Sequence, residues 1–358
     1  MPESQASGGG AAARSEPAGF AVGLGLTNEC DLHCAHCYRD SDRVDRLSLD
    51  EVRRVCRSLP IRAVNLGTGE NALHPEFRAI VRELHQHGVT LTLTSNGYSI
   101  RALPDEELRW LRDVELSLDF ATEAEQDAWR GAGNWRLVQE QLARCRRLGI
   151  GATVTAVMMR SNYERLPALA AVASEHGAGL RINVYQPVKT DAFTLSYEQF
   201  WTGFRLLLDS RPLLACSEPI VCAALGLSRG SSGCGATTVR VSPSGQVLPC
   251  VYWPKRKLTL ADLERLGAGV AGSPEFNELK IVPDVCRSCE LVEICGGGCA
   301  SRRLRRGGLH LADEFCPLLR GEQWPVRRRP RPAGREFPKV NSACTSIFGA
   351  RASSGARG

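Results

Sequence analysis

The chain has 358 residues and a mass of 39.0 kDa, is 43% hydrophobic and 23% charged, and carries fifteen cysteines. These are globular proportions, with length for one large or two medium domains, and they exclude wholesale disorder. No apolar run reaches the ~18 residues of a membrane span, and the formal charge of +6 is concentrated after Trp324, where eight basic residues face one acid, so a basic nucleic-acid groove is not indicated.

Residues 1–19 are rich in Ala, Gly and Ser, have no signal-peptide core, and are expected to be disordered. The chain is therefore expected in the reducing cytoplasm, where so many cysteines point to metal rather than to disulfides. From residue 20 to about 190 a strand-then-helix pattern recurs. The expected strands are Ala21–Thr27, Arg62–Leu66, Val89–Thr94, Val114–Leu118, Ala152–Met158 and Leu180–Tyr185, each a short apolar or β-branched run. Between them lie helix signals: a capping box from Ser48 and Glu51, a helix between Pro75 and Gly88, and the segments Leu137–Leu148 and Tyr163–His176. Such βα units with right-handed crossovers predict an α/β fold, a curved, partly closed barrel of the partial (β/α)6 kind, with ligands at the carboxyl ends of its strands.

After Pro187 the pattern changes. Residues 191–233 read as a helical linker containing Ser196–Ser210, and 234–320 as a small cysteine-rich domain with few apolar anchors, in which bound metal supplies stability. Within it Val239–Leu248 reads as a hairpin turning at Ser242–Gly245. Residues 321–358 read as a disordered basic tail, with Cys344 in it, and Cys56 and Cys145 as core thiols in helices.

The sharpest local signal is Cys30-Asp-Leu-His-Cys34-Ala-His-Cys37, directly after the first strand. Three thiolates there can bind three irons of a cubane and leave the fourth open for chemistry; zinc, with His33 or His36 as a further ligand, is the alternative. The spacing C-x3-C-x2-C resembles the signature of the radical S-adenosylmethionine (SAM) superfamily. The resemblance implies that SAM chelates the open iron of a [4Fe-4S] cluster and is cleaved reductively, giving a 5′-deoxyadenosyl radical that abstracts a substrate hydrogen. It also implies a set of SAM contacts. Gly67-Thr68-Gly69-Glu70 is similar to the family's Gly-Gly-Glu motif, with Thr68 departing from the usual glycine. Ser95 and Asn96 after the third strand, Ser117 and Asp119 after the fourth, and Arg130 stand at similar positions, while His36 replaces a usual aromatic residue beside the adenine.

Further on, Cys234, Cys250, Cys286, Cys289, Cys295, Cys299 and Cys316 resemble the SPASM extension that follows many radical SAM barrels. Carried over, Cys234, Cys250 and Cys299 would hold a first auxiliary [4Fe-4S] cluster, and Cys286, Cys289, Cys295 and Cys316 a second. The first has only three evident ligands. Some relatives place a cysteine where this chain has Ser228, and Cys222 or Cys216 could reach back, or one iron stays open.

Auxiliary clusters favour net oxidation or cross-linking. Val251 follows Cys250 where sulfatase-maturating relatives have an acidic base, which argues against formylglycine formation. Tyr252, Trp253, Asn183, Gln186 and Lys189 are candidates for lining a substrate pocket. The resemblance implies modification of a ribosomally made peptide, with a flavodoxin- or ferredoxin-type reductant. Because only about 19 residues precede the first strand, a separate leader-peptide recognition protein is expected if a leader is read at all. Oxidation of a small carbohydrate, aminocyclitol or nucleoside-type metabolite is the alternative. A non-catalytic electron carrier fits least, since carriers ligate every iron with protein.

Overall fold

The structure, a computed structural model, describes residues 19–227, 234–254, 257–326 and 344–349. Six strands, β1 (Phe20–Leu24), β2 (Ile61–Leu66), β3 (Thr90–Ser95), β4 (Asp113–Ser117), β5 (Gly151–Met158) and β6 (Gly179–Val184), pair in parallel and in chain order. Each lies within two or three residues of its expected span. Their inward runs are buried on both faces, as the covered strands of a parallel sheet must be.

The crossovers are helices: α1 (Leu49–Ser58), α2 (Phe77–Gln86), α3 (Tyr98–Ala102), α4 (Asp105–Leu108), α5 (Glu123–Arg130), α6 (Asn134–Leu148) and α7 (Leu166–Glu175). The capping box is formed, Ser48 Oγ accepting from Glu51 N and the Glu51 carboxylate accepting from Ser48 N. Val52, Val55, Ile80, Val81, Leu84, Val138, Leu142 and Leu169 face the sheet with almost no exposure. Each such side chain contributes about 1.5–3 kcal/mol by burial. Cys145 is fully buried and Cys56 packs against the same core, as their helical positions predict.

The sheet extends beyond the six strands on both sides. The expected hairpin forms as β8 (Thr238–Val241) and β9 (Gln246–Leu248), and β8 pairs in parallel with β1. β10 (Leu258–Thr259) continues that edge. On the other side β7 (Leu213–Cys216) lies within the region read as a linker, and β11 (Ser346–Phe348) runs antiparallel between β6 and β7. This corrects the reading of residues 321–358 as a wholly disordered tail: Ser346 and Phe348 are fully buried, and their apolar and β-branched neighbourhood fills a gap in the sheet. Residues 327–343 and 350–358 of that tail, and residues 1–18 of the segment 1–19 read as disordered, lie outside the described residues.

The cysteine-rich part is better anchored than its composition implies. Val239, Leu263, Phe276 and Phe315 belong to the same apolar core as the barrel. α8 (Tyr197–Ser210) acts as the bracket: Phe200 stacks on Phe315 at 4.1 Å and Trp201 Nε1 donates to Phe315 O at 3.0 Å.

Candidate functional site

The loop carrying Cys30, Cys34 and Cys37 leaves the carboxyl end of β1 and is clamped from beneath. Arg39, itself buried, donates to Asn28 O at 2.9 Å and Leu32 O at 2.7 Å. Glu29 O accepts from Glu70 N at 2.7 Å, tying the loop to the turn after β2, and Cys34 O accepts from Cys37 N at 3.0 Å. Burial pushes the Cys30 thiol up to about 12 and raises Cys34, the nearby Arg130 opposing the latter. A thiolate at either position needs a positive partner, and iron would supply it.

The turn after β2 carries Gly67, Thr68, Gly69 and Glu70. Gly69 has φ of +63°, and a Cβ there would lie 2.4 Å from Thr27 O and Glu29 O, so only glycine permits the close approach to the cysteine loop. Thr68 has φ of +92°, a conformation in which a β-branched residue is strained. It is held by Tyr38 Oη at 3.0 Å and by Arg240, which also donates to Gly67 O at 2.7 Å. Glu70 is buried and joins two turns: its carboxylate accepts from Ser95 Oγ at 2.5 Å, Asn96 N at 2.9 Å and Ser99 N at 2.7 Å. Asn96 Nδ2 in turn donates to Asp31 Oδ1 at 2.7 Å, beside Cys30.

Gly67, Gly69, Glu70, Ser95, Asn96, Ser117 and Arg130 line one open cavity of about 200 Å³ together with Cys30, Cys34 and Cys37. Asp119 does not. Its carboxylate sits behind the wall, accepting from Arg130 at 2.7–2.8 Å and from Val157 N at 3.0 Å, so it positions the arginine instead of facing the cavity. Arg130 and its neighbours lower the Asp119 carboxyl against the opposing effect of burial, which is the largest. His36 stacks on Trp129 at 5.4 Å and burial holds its imidazole neutral, down at about 4.

Several lining residues were not singled out from sequence: Glu115, which pairs with Arg181 through side chains almost wholly buried, and Arg240 and Tyr38. Asn183, Gln186 and Tyr252 do reach the cavity, Tyr252 with its ring edge-on to Tyr38 at 5.3 Å. Trp253 is instead buried beside Cys250 and Ala300, and Lys189 reaches Ser41 Oγ at 3.4 Å outside the cavity. Four cavity residues, His36, Thr155, Asn183 and Gln186, each hold a buried polar atom with no partner in the chain. Such atoms are costly unless a ligand or water satisfies them.

The later cysteines lie in two neighbouring groups. Cys286, Cys289, Cys295 and Cys316 lie within electrostatic reach of one another around a turn of three glycines, Gly296–Gly298, all with positive φ. Cys250 and Cys299 are buried, and the Cys250 thiol meets that of Cys234. Asp313 links the two groups: it accepts from Cys299 N at 2.8 Å, from Phe315 N at 3.2 Å and from Arg302 at 2.5–3.1 Å. Among the described residues no three His, Cys, Asp or Glu side chains gather on the single point that one metal ion requires.

Known proteins resemble this chain across most of its length. It is 28% identical over 332 residues to the mycofactocin maturase MftC of Mycobacterium tuberculosis, covering 86% of this chain and 84% of that one. It is 26% identical over 327 residues to the PqqA peptide cyclase of Gluconobacter oxydans, covering 82% and 89%. Its fold matches the SuiB structure from Streptococcus suis with bound S-adenosylmethionine at a TM-score of 0.65, with 15% identity over 82% of this chain and 76% of that one. The Radical SAM superfamily model matches residues 24–173, from the end of β1 into α7 and including the cysteine loop, so this part of the chain is a radical SAM domain.

Proposed function

We propose that this enzyme modifies a ribosomally synthesised peptide by radical SAM chemistry. The observation that carries the reading is the cavity itself. Three thiols stand on one side of it, and four unpartnered buried polar atoms line its walls, at the carboxyl ends of the parallel strands. The donor set fits the superfamily's cofactors: three thiols of one loop line the cavity and leave one corner of a cubane free. When bound, the [4Fe-4S] cluster and SAM supply a 5′-deoxyadenosyl radical able to take a hydrogen atom from substrate.

The chain's own residues bind, orient and exclude. Cys30, Cys34 and Cys37 would hold the cluster. Gly67, Gly69 and Glu70, with Ser95 and Asn96, form the turn that would receive the amino group of SAM, and Ser117 and Arg130 the surface for its ribose and carboxylate. Asp119 keeps the Arg130 guanidinium charged and aimed. Tyr38 and Tyr252 meet over one side of the cavity and exclude water from it. Glu115 and Arg181, with Asn183 and Gln186, offer paired charge and amide groups to the peptide.

The relatives, matched over 84% and 89% of their length, are named as a maturase and a peptide cyclase, which favours a peptide over a carbohydrate or nucleoside-type metabolite. Two auxiliary [4Fe-4S] clusters, held by the two later cysteine groups, would carry an electron from the substrate, and a flavodoxin- or ferredoxin-type protein would reduce the first cluster. The test is 5′-deoxyadenosine formation by the anaerobically reconstituted chain with dithionite and SAM, read by mass spectrometry. Stimulation by a peptide-sized, protease-sensitive fraction of source extract is expected. Stimulation only by small, protease-resistant molecules would overturn the peptide assignment, and no product from fully loaded protein would overturn the radical mechanism.

A further inference from the structure

The geometry points to Cys344 as the fourth ligand of the first auxiliary cluster, closing it with four cysteines. This rests on the reading of Cys234, Cys250 and Cys299 as ligands of that cluster. The Cys344 thiol meets those of both Cys234 and Cys299, and Cys234 meets Cys250, so four thiols form one continuous group. All four line the same cavity.

Cys344 is delivered there by the strand that follows it. Thr345 Oγ1 accepts from Arg181 Nε at 3.0 Å and donates to Ile182 O at 3.1 Å, on β6. Its backbone N donates to Ser217 Oγ at 3.1 Å, and its O accepts from Ser217 N at 2.7 Å, next to β7. Ser346 is fixed in register opposite Ile182 and Cys216 at once. A one-residue slip would turn the cysteine away and expose Phe348, which is fully buried. The position of Cys344 is therefore set by the sheet and not by the thiols alone.

The competing cysteines are engaged elsewhere. Cys222 Sγ donates to Cys216 O at 3.4 Å and its thiol meets that of Cys216, whose sulfur lies 3.1 Å from Ser346 Oγ. Cys222 lines the same cavity, but its charged neighbours are Cys216, Glu218 and Cys295. On cluster assembly Cys344 gives up its thiol proton and its thiolate takes the iron that the other three leave open. A cluster with every iron held by protein passes electrons and has no position for substrate.

The test uses the full chain with Cys30, Cys34 and Cys37 changed to Ala, so that only auxiliary clusters contribute. Iron, acid-labile sulfide and EPR are measured after anaerobic reconstitution. Cys344→Ala is expected to lose about four irons and four sulfides per chain, or to give a three-iron EPR signal on mild oxidation where the parent gives none. Unchanged iron, sulfide and EPR in Cys344→Ala, or the same loss on Cys222→Ala instead, would overturn the assignment. Cys234→Ala and Cys250→Ala in the same background separate this from the underlying reading: if they too are silent, no cluster sits there. Should Cys344→Ala fail to fold, alkylation of the wild-type protein decides. Cys344 should resist iodoacetamide when the protein is loaded and react once the iron is chelated, and equal reactivity in the two states would overturn the proposal.

Discussion

The pair formed by Asp119 and Arg130 can be dissected by a double-mutant cycle. Their side chains are 0% and 10% exposed, and the guanidinium makes contacts of 2.7 and 2.8 Å to one carboxylate oxygen. Asp119→Asn keeps an oxygen for the Val157 amide but leaves a buried cation without a counter-ion. Removing one partner of a buried pair costs about 3–5 kcal/mol. Arg130→Met strands the carboxylate and costs a similar amount. The double variant removes both charges and should cost about 1–2 kcal/mol, giving a coupling of several kcal/mol. Urea unfolding of the four chains, followed by circular dichroism, supplies the energies. Equilibrium dialysis with SAM then separates support from binding: the double variant should fold and yet bind SAM at least tenfold more weakly. Additivity of the single variants within about 0.5 kcal/mol would refute the reasoning, because the groups would then be acting independently.

Three further outcomes are expected. Burial, with Glu115 nearby, pushes the Asp113 carboxyl up to about 7 from 3.8, so the folded state binds its proton more tightly than the unfolded chain does. Its contribution to stability is therefore complete below pH ~4 and is lost as pH rises to about 7; Asp113→Asn should stabilise by roughly 2–3 kcal/mol at pH 8 and by little at pH 4, and equal melting shifts at both pH values would contradict this. Thr68→Gly relieves a positive φ of +92° but forfeits the contacts from Tyr38 and Arg240, so it should change stability by less than about 1 kcal/mol, whereas Thr68→Val keeps the strain, loses the hydroxyl and should cost about 2 kcal/mol or more; denaturant midpoints that rank the two the other way would count against the strain. Arg302, 2% exposed between Glu218 and Asp313, is expected to cost at least 3 kcal/mol as Arg302→Ala and to loosen the backbone at Cys299, measured as faster amide exchange there; unaltered exchange would show that Asp313 holds that turn without it.

The barrel was legible because its evidence is local. Each parallel strand is a contiguous apolar or β-branched run, and the cysteine loop, the Gly67–Glu70 turn and the Asn96-Gly97 turn each follow one directly. What stayed hidden depends on distant pairing. Arg240 reaches Thr68 only because β8 docks in parallel on β1, and nothing between residues 68 and 240 announces that register. Asp119 was placed among the cofactor contacts because its position resembles a family contact site, yet its carboxylate is aimed at Arg130 and away from the cavity. Cys344 was hidden by averaging: the Arg-, Pro- and Gly-rich composition around it outweighs the short run Thr345-Ser346-Ile347-Phe348, whose β-forming residues were the available signal.

The insertion of β11 between β6 and β7 has a consequence for how the chain folds. β7 follows β6 in sequence but cannot pair with it; a slot one strand wide separates them until residues 346–348 arrive from far along the chain. While the slot is empty, two rows of unpaired backbone amides and carbonyls face each other, a template for any extended segment that reaches it first. Closing it requires ordering a loop of more than a hundred residues, so the step is entropically slow and late. A strand from a second copy fits the slot in the interval, so strand exchange is the misfolding route this topology predicts.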